Sequence, residues 1–510
     1  MKIKNYLFAA SLIVAASSSL QAQQLQLTLE QAVDISRQQS PDMLSAELKL
    51  ERYERLLSAQ EASLKTQFKL SVDPIDYSKN RYLNSRLSEW YTNESLTSDG
   101  TFSIEQPILW TGATASLNNT FGWKNNTSQI DGSSSSTTRS FTNSLYLSLD
   151  QPLFTYNEMK YEYVTIELEY EDAKISYALS LLNLEQSVIS QFYTVYMAQA
   201  NLKIAREEYE DARDNYKIIE EKVRLDMVPR SELFQAELNQ SSAESTMVTR
   251  ELTLNNVTNT FKKMLGIPLI TEVSVLADLV EKEVAVDIKM AVEHALTNRL
   301  ELLQRDIIDK NADISLLKIK DSGSFSGDLS LSVGITGDNP QFQNVYETPT
   351  QNPSVGLSLS IPIFDWGARR DKIMAQKLQI GMNEITREQE LVDIEIEVIN
   401  SCKTLSNLAK QIEITKTAVV NAQQTYDLNV ELYRAGEITG MEMNEFQSQL
   451  STQRTNLSQK MVDYELELVN LKCVSLYDFE KREAIAPMLM YNPESMREFR
   501  KFYDKKKNRR

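Results

Sequence analysis

Few residues in this sequence could carry chemistry. The chain has one histidine, His294, and two cysteines, Cys402 and Cys473. One imidazole and two distant thiols leave little for a metal site. The sequence also has no nucleophile motif, no set of histidine partners and no glycine-rich phosphate loop. We therefore expect no enzyme, no metal and no cofactor.

Glu442 and Glu445 form the most suggestive pair of charged residues. Residues three apart share one face of a helix, so the two carboxylates should project together. Like charges held close raise one another's pKa and attract cations. Such a pair is also typical of an ordinary solvated helix face, and spacing alone does not separate the two interpretations.

The two cysteines are almost equidistant from a helix break near Glu437 and Ile438. In an antiparallel helical hairpin, residues equidistant from the turn lie at the same height. Cys402 and Cys473 could form a disulfide if both face inward and could not if either faces away. An oxidising compartment would favour the bond.

Export is indicated by the N-terminus. Lys2 and Lys4 precede a short apolar stretch, and Ala22 ends a candidate cleavage site, so residues 1–22 are predicted to be a signal peptide. No later stretch has the unbroken apolar run of a transmembrane helix. An exported chain of this kind belongs in the periplasm, in the medium, or in the outer membrane as a β-barrel.

The overall charge is acidic, with a formal value of -17. A nucleic-acid protein needs a basic footprint, so we expect no nucleic-acid partner. The basic exception is the C-terminal tail, residues 481–510, which is interpreted as a solvated end.

The remaining chain consists of two copies of one plan. We place a first repeat at 23–270, a linker at 271–285 and a second repeat at 286–480. The segment 28–33 resembles 287–292, and each begins a helix with Thr28 or Asp287 as its N-cap. Further on, Gln-Pro-Leu-Phe at 151–154 resembles Ile-Pro-Ile-Phe at 361–364, and a long helical stretch follows each.

The two long helical stretches share a seven-residue period, which predicts supercoiled helices packed side by side. An ordinary coiled coil without a channel would show the same period. The apolar positions are Leu181, Val188, Val195, Leu202, Tyr209, Tyr216 and Val223 in the first stretch, and Leu391, Val398, Leu405, Ile412, Val419, Tyr426 and Tyr433 in the second.

Proline and glycine set the predicted helix ends. The long helices should cover about 157–227 and 367–434, and shorter returning helices should end near Leu265 and Leu476. Each long helix would extend roughly 100 Å. An early helix at about 28–65, added to the first returning helix, matches one long helix. That relation allows a wall of uniform height and has no counterpart in a generic coiled coil.

Alternating apolar and small polar residues predict strands between the early and long helices, at about 145–150, 325–335 and 354–361. A membrane strand or a soluble sandwich strand fits the alternation, and export favours the membrane. The first copy has extra residues within 66–150, including 101–104, 113–123 and a loop at 131–139. These could enlarge a barrel or form an external hairpin.

The doubled order of these elements resembles the TolC-like outer membrane efflux proteins over nearly the whole mature chain. At the second helical turn, 433–439 looks like the family's aromatic-x-x-Gly-x-x-Thr motif. At the first turn, Asp226 stands where the family has Gly, and Asp tolerates the same turn conformation better than most residues. The resemblance implies a mainly α chain with a membrane β-barrel part, built from a duplicated helix-strand-strand-helix-helix unit.

The function implied by the resemblance is passive conduction. Such proteins assemble as homotrimers in outer membrane lipid and form the exit duct of efflux or type I secretion systems. They work with a periplasmic adaptor and an inner-membrane transporter. The adaptor would contact the two turns, through Val228, Pro229, Gly436, Ile438 and Thr439. The alternative is an exported structural coiled coil, or an adaptor, without a pore.

The resemblance also implies a gate near the turns. Matched position by position, Glu442 and Glu445 fall where the family has acidic residues facing the narrow periplasmic end of the pore. A trimer would bring six carboxylates around one axis and favour cations. Tyr433 matches the aromatic member of the bonds that hold the closed state. Arg224 falls where an acidic partner is usual, so it would pair with another carboxylate.

Overall fold

A computed structural model describes residues 25–84, 89–130, 135–277, 279, 284–435 and 437–485. The predicted signal peptide, nearly all of the basic tail and residues 131–134 of the predicted loop lie outside this range. The chain divides into two compact units. One unit takes Met1–Lys49, Lys174–Leu303 and Glu388–Arg510, and the other takes Leu50–Ala173 and Gln304–Arg387. Each unit therefore draws on both predicted repeats.

The second unit contains an antiparallel sheet of six strands, with a two-residue strand, β8, beside one of them. The spatial order is β2-β3-β4-β5-β7-β9, and β8 pairs with β7 beyond the end of β9. The strands are β2 (Gln67–Asn84), β3 (Glu89–Ile108), β4 (Ala113–Ile130), β5 (Ser135–Leu153), β7 (Ser326–Asn339), β8 (Thr350–Gln351) and β9 (Ser354–Ser360).

The extra strands of the first repeat lie in this sheet. β3 pairs with β4 from Tyr91 to Ile108, and β2 pairs with β3 from Gln67 onward. The predicted strands near 101–104 and 113–123 are confirmed and are longer than expected. The predicted loop at 131–139 is wrong for its described part, since β5 begins at Ser135.

One face of the sheet is apolar in the half nearest the helices. Because pairing is in register, one row runs Phe68, Ile104, Leu117, Leu147, Val333 across five strands. The adjacent row runs Gln67, Glu105, Ser116, Ser148, Ser332, Ser354 on the other face. Alternate residues point to opposite faces, so every strand contributes to both surfaces.

Aromatic side chains border the apolar rows on both sides. At the end nearest the helices Phe154 packs on Phe325, and Phe364 packs on Trp366, with ring centroids 5.1 and 4.8 Å apart. Toward the other end, Phe342 makes edge contacts with Phe121 and Phe141 at 5.2 and 5.9 Å. An apolar band between two aromatic girdles is typical of strands in a bilayer.

The long helices end close to their predicted bounds. They are α3 (Glu158–Arg224) and α7 (Ala368–Ala435), and the returning helices are α4 (Arg230–Leu265) and α8 (Gly440–Ser475). In the described range no helix combines the length and hydropathy needed to cross a membrane.

The early helix is divided. The expectation of one helix over 28–65 is wrong, because α1 (Leu29–Gln39) ends at Ser40 and α2 (Pro41–Ser63) follows. A residue before proline is disfavoured in the helical region, and proline suits the first helical position. The second copy divides in the same way into α5 (Ile288–Asn298) and α6 (Leu300–Asp321). Ser40 and Arg299 share φ -59° and ψ 131°, which supports the duplication.

The heptad residues form the core of the first unit. Val188, Val195 and Val398 are fully buried, and Leu181, Leu405 and Ile412 are buried beside them. They belong to two clusters, one packed around Phe192 and Phe261 and one around Leu471. The seven-residue period therefore indicates a packed seam within each copy.

The predicted linker 271–285 contains structure. Its strand β6 (Val273–Val275) pairs in parallel with β1 (Leu25–Leu27), which joins the start of the first repeat to the linker. After α8, β10 (Tyr477–Asp478) pairs with β11 (Glu483–Ala484). His294 stacks on Tyr477 with ring centroids 4.7 Å apart, so the histidine packs against this hairpin.

The candidate disulfide is not formed, and both cysteines are free thiols. Cys402 is buried in the cluster around Leu471 and also borders a cavity beside Val284 and Ile288. Cys473 lines a separate cavity beside Leu179 on α3. Equal height in the hairpin was insufficient because the two side chains face different neighbours. Burial raises the pKa of each thiol to about 11.

Candidate functional site

The two helical hairpins end in turns of matching geometry. Met227 donates its amide to the Lys222 carbonyl, and Glu437 donates to Leu432, each at 2.9 Å. These bonds close the last turn of α3 and of α7 with the same residue spacing. Asp226 adopts φ 56°, the left-handed conformation that favours glycine. The expectation that Asp226 takes the turn conformation is confirmed.

The helices that leave the turns are capped differently. Pro229 is the N-cap residue of α4 and provides no side-chain hydrogen bond. Thr439 is the N-cap residue of α8 and forms a capping box with Glu442. The Glu442 carboxylate accepts from the Thr439 amide at 2.8 Å and from its hydroxyl at 2.9 Å. The second turn is therefore fixed by side-chain bonds that the first turn lacks.

Glu442 and Glu445 are both exposed near the start of α8. The backbone and side-chain hydrogen bonds from Thr439 lower the pKa of Glu442. Crowded carboxylates would raise the pKa, so within one copy the shift of Glu442 has the opposite direction. Glu442 thus remains ionised at the positive end of a helix dipole, and its orientation is set by the cap.

Tyr433 contacts the neighbouring long helix. Its hydroxyl donates to the Asn215 side chain at 2.6 Å, and the Lys222 ammonium lies 5.4 Å from its ring centroid. Burial, followed by the charge of Glu232, raises the Tyr433 pKa, so the phenol stays a neutral donor. Arg224 pairs with Glu221 on its own helix at 2.6 Å. Arg224 therefore pairs with a carboxylate on its own helix, whereas Tyr433 bonds to the amide oxygen of Asn215 on the neighbouring helix.

A second polar contact joins the hairpins and was not predicted. The Gln447 side chain donates to Asp211 at 2.7 Å, linking α8 to α3. Burial and the charges of Glu207 and Asp214 raise the Asp211 pKa. Acidic residues at 207, 211 and 214 share one helix face, which is the sequence signal that could have identified this cluster.

The predicted docking residues occupy the turns with unequal exposure. Pro229 and Thr439 are exposed, Val228 and Ile438 are half-buried, and Gly436 lies outside the described residues. The exposed apolar side chains at the turns are instead Leu225, Met227 and Met441, each with more than 60% of its surface accessible. These three residues were not predicted from the sequence.

Comparison with known proteins gives a family match within the second half of the chain. Residues 325–473 match the family model of the outer membrane efflux protein. These residues are an outer membrane efflux protein domain. The matched range covers β7, β9, α7 and most of α8, so it includes the second turn, Thr439 and Glu442. The resemblance to the TolC-like family is confirmed.

The fold is also that of solved outer membrane channels. The Campylobacter jejuni CmeC outer membrane channel aligns with a TM-score of 0.67 at 15% identity, covering 88% of this chain and 85% of that one. The Neisseria gonorrhoeae MtrE outer membrane channel, in its open state, aligns with a TM-score of 0.63 at 14% identity, covering 90% and 92%. At these identities the likeness establishes the fold.

A curated relative shares sequence over a shorter range. Nodulation protein T of Rhizobium leguminosarum bv. trifolii is 21% identical over 305 residues, covering 58% of this chain and 64% of that protein. The description of the matching family model places its members in the outer membrane and gives efflux as their role. The expectation of a non-enzymatic protein agrees with that family.

The capping box generates a prediction about the second turn. Thr439→Ala should remove a cap worth about 1 kcal/mol, so amides of residues 440–443 should exchange hydrogen about fivefold faster. Thr439→Ser should behave as the wild type. Because the Glu442 pKa is lowered, its contribution is present above the ordinary glutamate range and is lost as pH falls through the lowered value. Hydrogen exchange measured by mass spectrometry tests both points, and equal exchange in the alanine and wild-type proteins would contradict the cap.

Proposed function

We propose that the chain forms a homotrimeric outer membrane efflux duct that passively conducts substrates from the periplasm to the exterior. The observation that carries this proposal is the sheet. Its apolar rows lie between two aromatic girdles, and the opposite face carries Ser116, Ser148 and Ser332. An apolar outer face and a polar inner face are what a water-filled pore in lipid requires.

Several copies are needed to complete such a pore. The sheet of one chain is open, with β2 at one edge and β9 at the other. Open edges are not tolerated in the hydrocarbon region, because each unpaired backbone group costs several kcal/mol there. The TolC-like family supplies the number of copies, since its members close as trimers.

The gate is proposed at the start of α8. Three copies of Glu442 and Glu445 would place six carboxylates around the axis of the duct. The cap fixes the orientation of one member of each pair, Glu442, and the same hydrogen bonds from Thr439 lower the pKa of that carboxyl group. A ring of this charge favours cations and binds multivalent cations that block the pore. The bond from Tyr433 to Asn215 and the bond from Gln447 to Asp211 would hold the hairpins closed around it.

The partners are proposed to be a periplasmic adaptor and an inner-membrane transporter of an efflux or type I secretion system. A duct without an energy source needs both. The exposed Met227 and Met441, together with Leu225, give the turns an apolar surface suited to a helical hairpin. Val228, Pro229, Ile438 and Thr439 shape the turns that present it.

An exported structural coiled coil or a periplasmic adaptor is the rival assignment. Neither requires a sheet that is apolar on one face and exposed to solvent there. Phe68, Leu70, Leu147 and Val333 would then be a large unprotected apolar patch, which soluble proteins avoid.

The gate is tested by conductance in planar bilayers. The wild-type trimer should conduct, prefer cations and be blocked by divalent or trivalent cations. Glu442→Gln with Glu445→Gln should reduce cation selectivity and weaken the block, because six charges leave the constriction. A matched control is Glu237→Gln with Glu244→Gln, which removes the same charge from exposed positions on α4. Equal effects of both double variants would show a general charge effect and reject the gate, and absence of any conductance would reject the duct.

Docking is tested at the exposed turn residues. Met227→Asp with Met441→Asp should reduce export by at least tenfold in an efflux assay, because two charges enter an apolar contact. The variant should still form trimers and conduct in bilayers. Val228→Asp with Ile438→Asp should show the same loss, although these half-buried positions also affect the turns. Normal export by the methionine variant would place the docking site elsewhere.

A further inference from the structure

The two edges of the sheet are the part of the fold that the duct proposal leaves unassigned. Along their outer sides, β2 and β9 have no strand partner in the described part of the chain. We propose that β2 of one copy pairs antiparallel with β9 of a second copy, with Gln67 opposite Ser360 and Asp73 opposite Ser354. This inference rests on the proposed membrane duct and defines how its copies join.

The two edges match in length. β9 has seven residues, Ser354–Ser360, and β2 runs regularly over Gln67–Asp73 before its register shifts between Asp73 and Asp76. Pro74 follows the regular stretch of β2, and Pro353 precedes β9. In the proposed register these prolines stand opposite each other. Proline has no amide hydrogen to donate, so the ladder ends at that level on both strands.

The two edges also match in face. Aligning the strand ends nearest the helices places Phe68 opposite Leu359, Leu70 opposite Leu357 and Val72 opposite Val355. All six are exposed apolar side chains on the apolar face of the sheet. The intervening pairs are Lys69 with Ser358 and Ser71 with Gly356, on the polar face. A register shifted by one residue would place apolar side chains opposite polar ones at every position.

The stagger of the sheet suits closure by this contact. The polar row that starts at Gln67, the first residue of β2, reaches β9 at Ser354, its first residue and the one farthest from the helices. Across the sheet, the row that starts at the helix-proximal end of β2 therefore arrives at the opposite end of β9, a displacement equal to the length of β9. Strands in a closed barrel must tilt and stagger in this way. Pairing Gln67 with Ser360 of the next copy continues the stagger around the ring.

The consequence is a wide pore. All six strands of the sheet other than the two-residue β8 would lie in the barrel, so a trimer would have eighteen strands. An external β2–β3 hairpin would leave four strands a copy and twelve in all. Barrel diameter grows roughly linearly with strand number, so the proposed barrel is about half as wide again.

The contact is tested by disulfide trapping between differently tagged chains. Both native cysteines are first replaced by alanine. Leu70→Cys in one chain and Leu357→Cys in the other are co-expressed and oxidised in outer membranes, and a covalent heterodimer is expected. Lys69→Cys with Ser358→Cys is the second in-register pair. Leu70→Cys with Ser358→Cys is the matched control, displaced by one residue, and should give no more than a tenth of the product.

The alternatives give different products. A bond between Leu117→Cys on β4 and Leu357→Cys, with none from the β2 pairs, would place the β2–β3 hairpin outside the barrel. That result would overturn this inference and leave the trimeric duct intact. A further variant has Leu70→Cys and Leu357→Cys in one chain. If the disulfide forms only within that chain, the sheet closes on itself, and the pairing between copies is wrong. Chains that remain monomeric in the membrane would reject the duct as well.

Discussion

The constraint on which the structure depends is that backbone amides and carbonyls have no hydrogen-bond partners in lipid other than one another. A strand in this environment must pair on both sides along its whole depth. Within the sheet, each strand from β2 through β9 pairs with its neighbours and meets that demand. The outer sides of the two edge strands, β2 and β9, leave it unmet. In the proposed duct, the need for several copies follows from this requirement. The serine-rich face would line the water-filled interior, and the leucine-rich face would contact lipid.

The helical hairpins are subject to a different requirement: in the proposed duct they must pack against one another in water. Here the backbone bonds are satisfied within each helix, and apolar seams supply the packing. Val188 and Val195 in one copy, and Val398 and Leu405 in the other, are buried at the same seven-residue spacing. Ser40 and Arg299, where the early helices of the two copies divide, have the same backbone conformation. Where the copies differ, at the N-caps Pro229 and Thr439, the second turn gains the bonds that orient Glu442.

The sequence predicted the helices well and the strands less well, for physical reasons. Glycine and proline end helices locally, so the bounds of α3 and α7 were accessible from composition. The outer end of β5 is polar on both faces, since Thr137 and Thr138 project to opposite sides, and period-two alternation is lost there. The orientation of Cys402 and Cys473 was set by packing that equal height cannot reveal. The capping box was accessible, because Thr439 and Glu442 have its characteristic spacing.

The most direct measurement is a scan of spin-labelled cysteines along β5, replacing residues 144–149 one at a time in lipid vesicles. Collision rates with oxygen, which dissolves in lipid, and with a water-soluble nickel complex should alternate with a period of two. Leu145, Leu147 and Leu149 should be accessible to oxygen, and Ser144, Tyr146 and Ser148 should be accessible to nickel. Six positions that are all accessible to nickel, with no alternation, would show that the sheet lies in water and would contradict the membrane assignment.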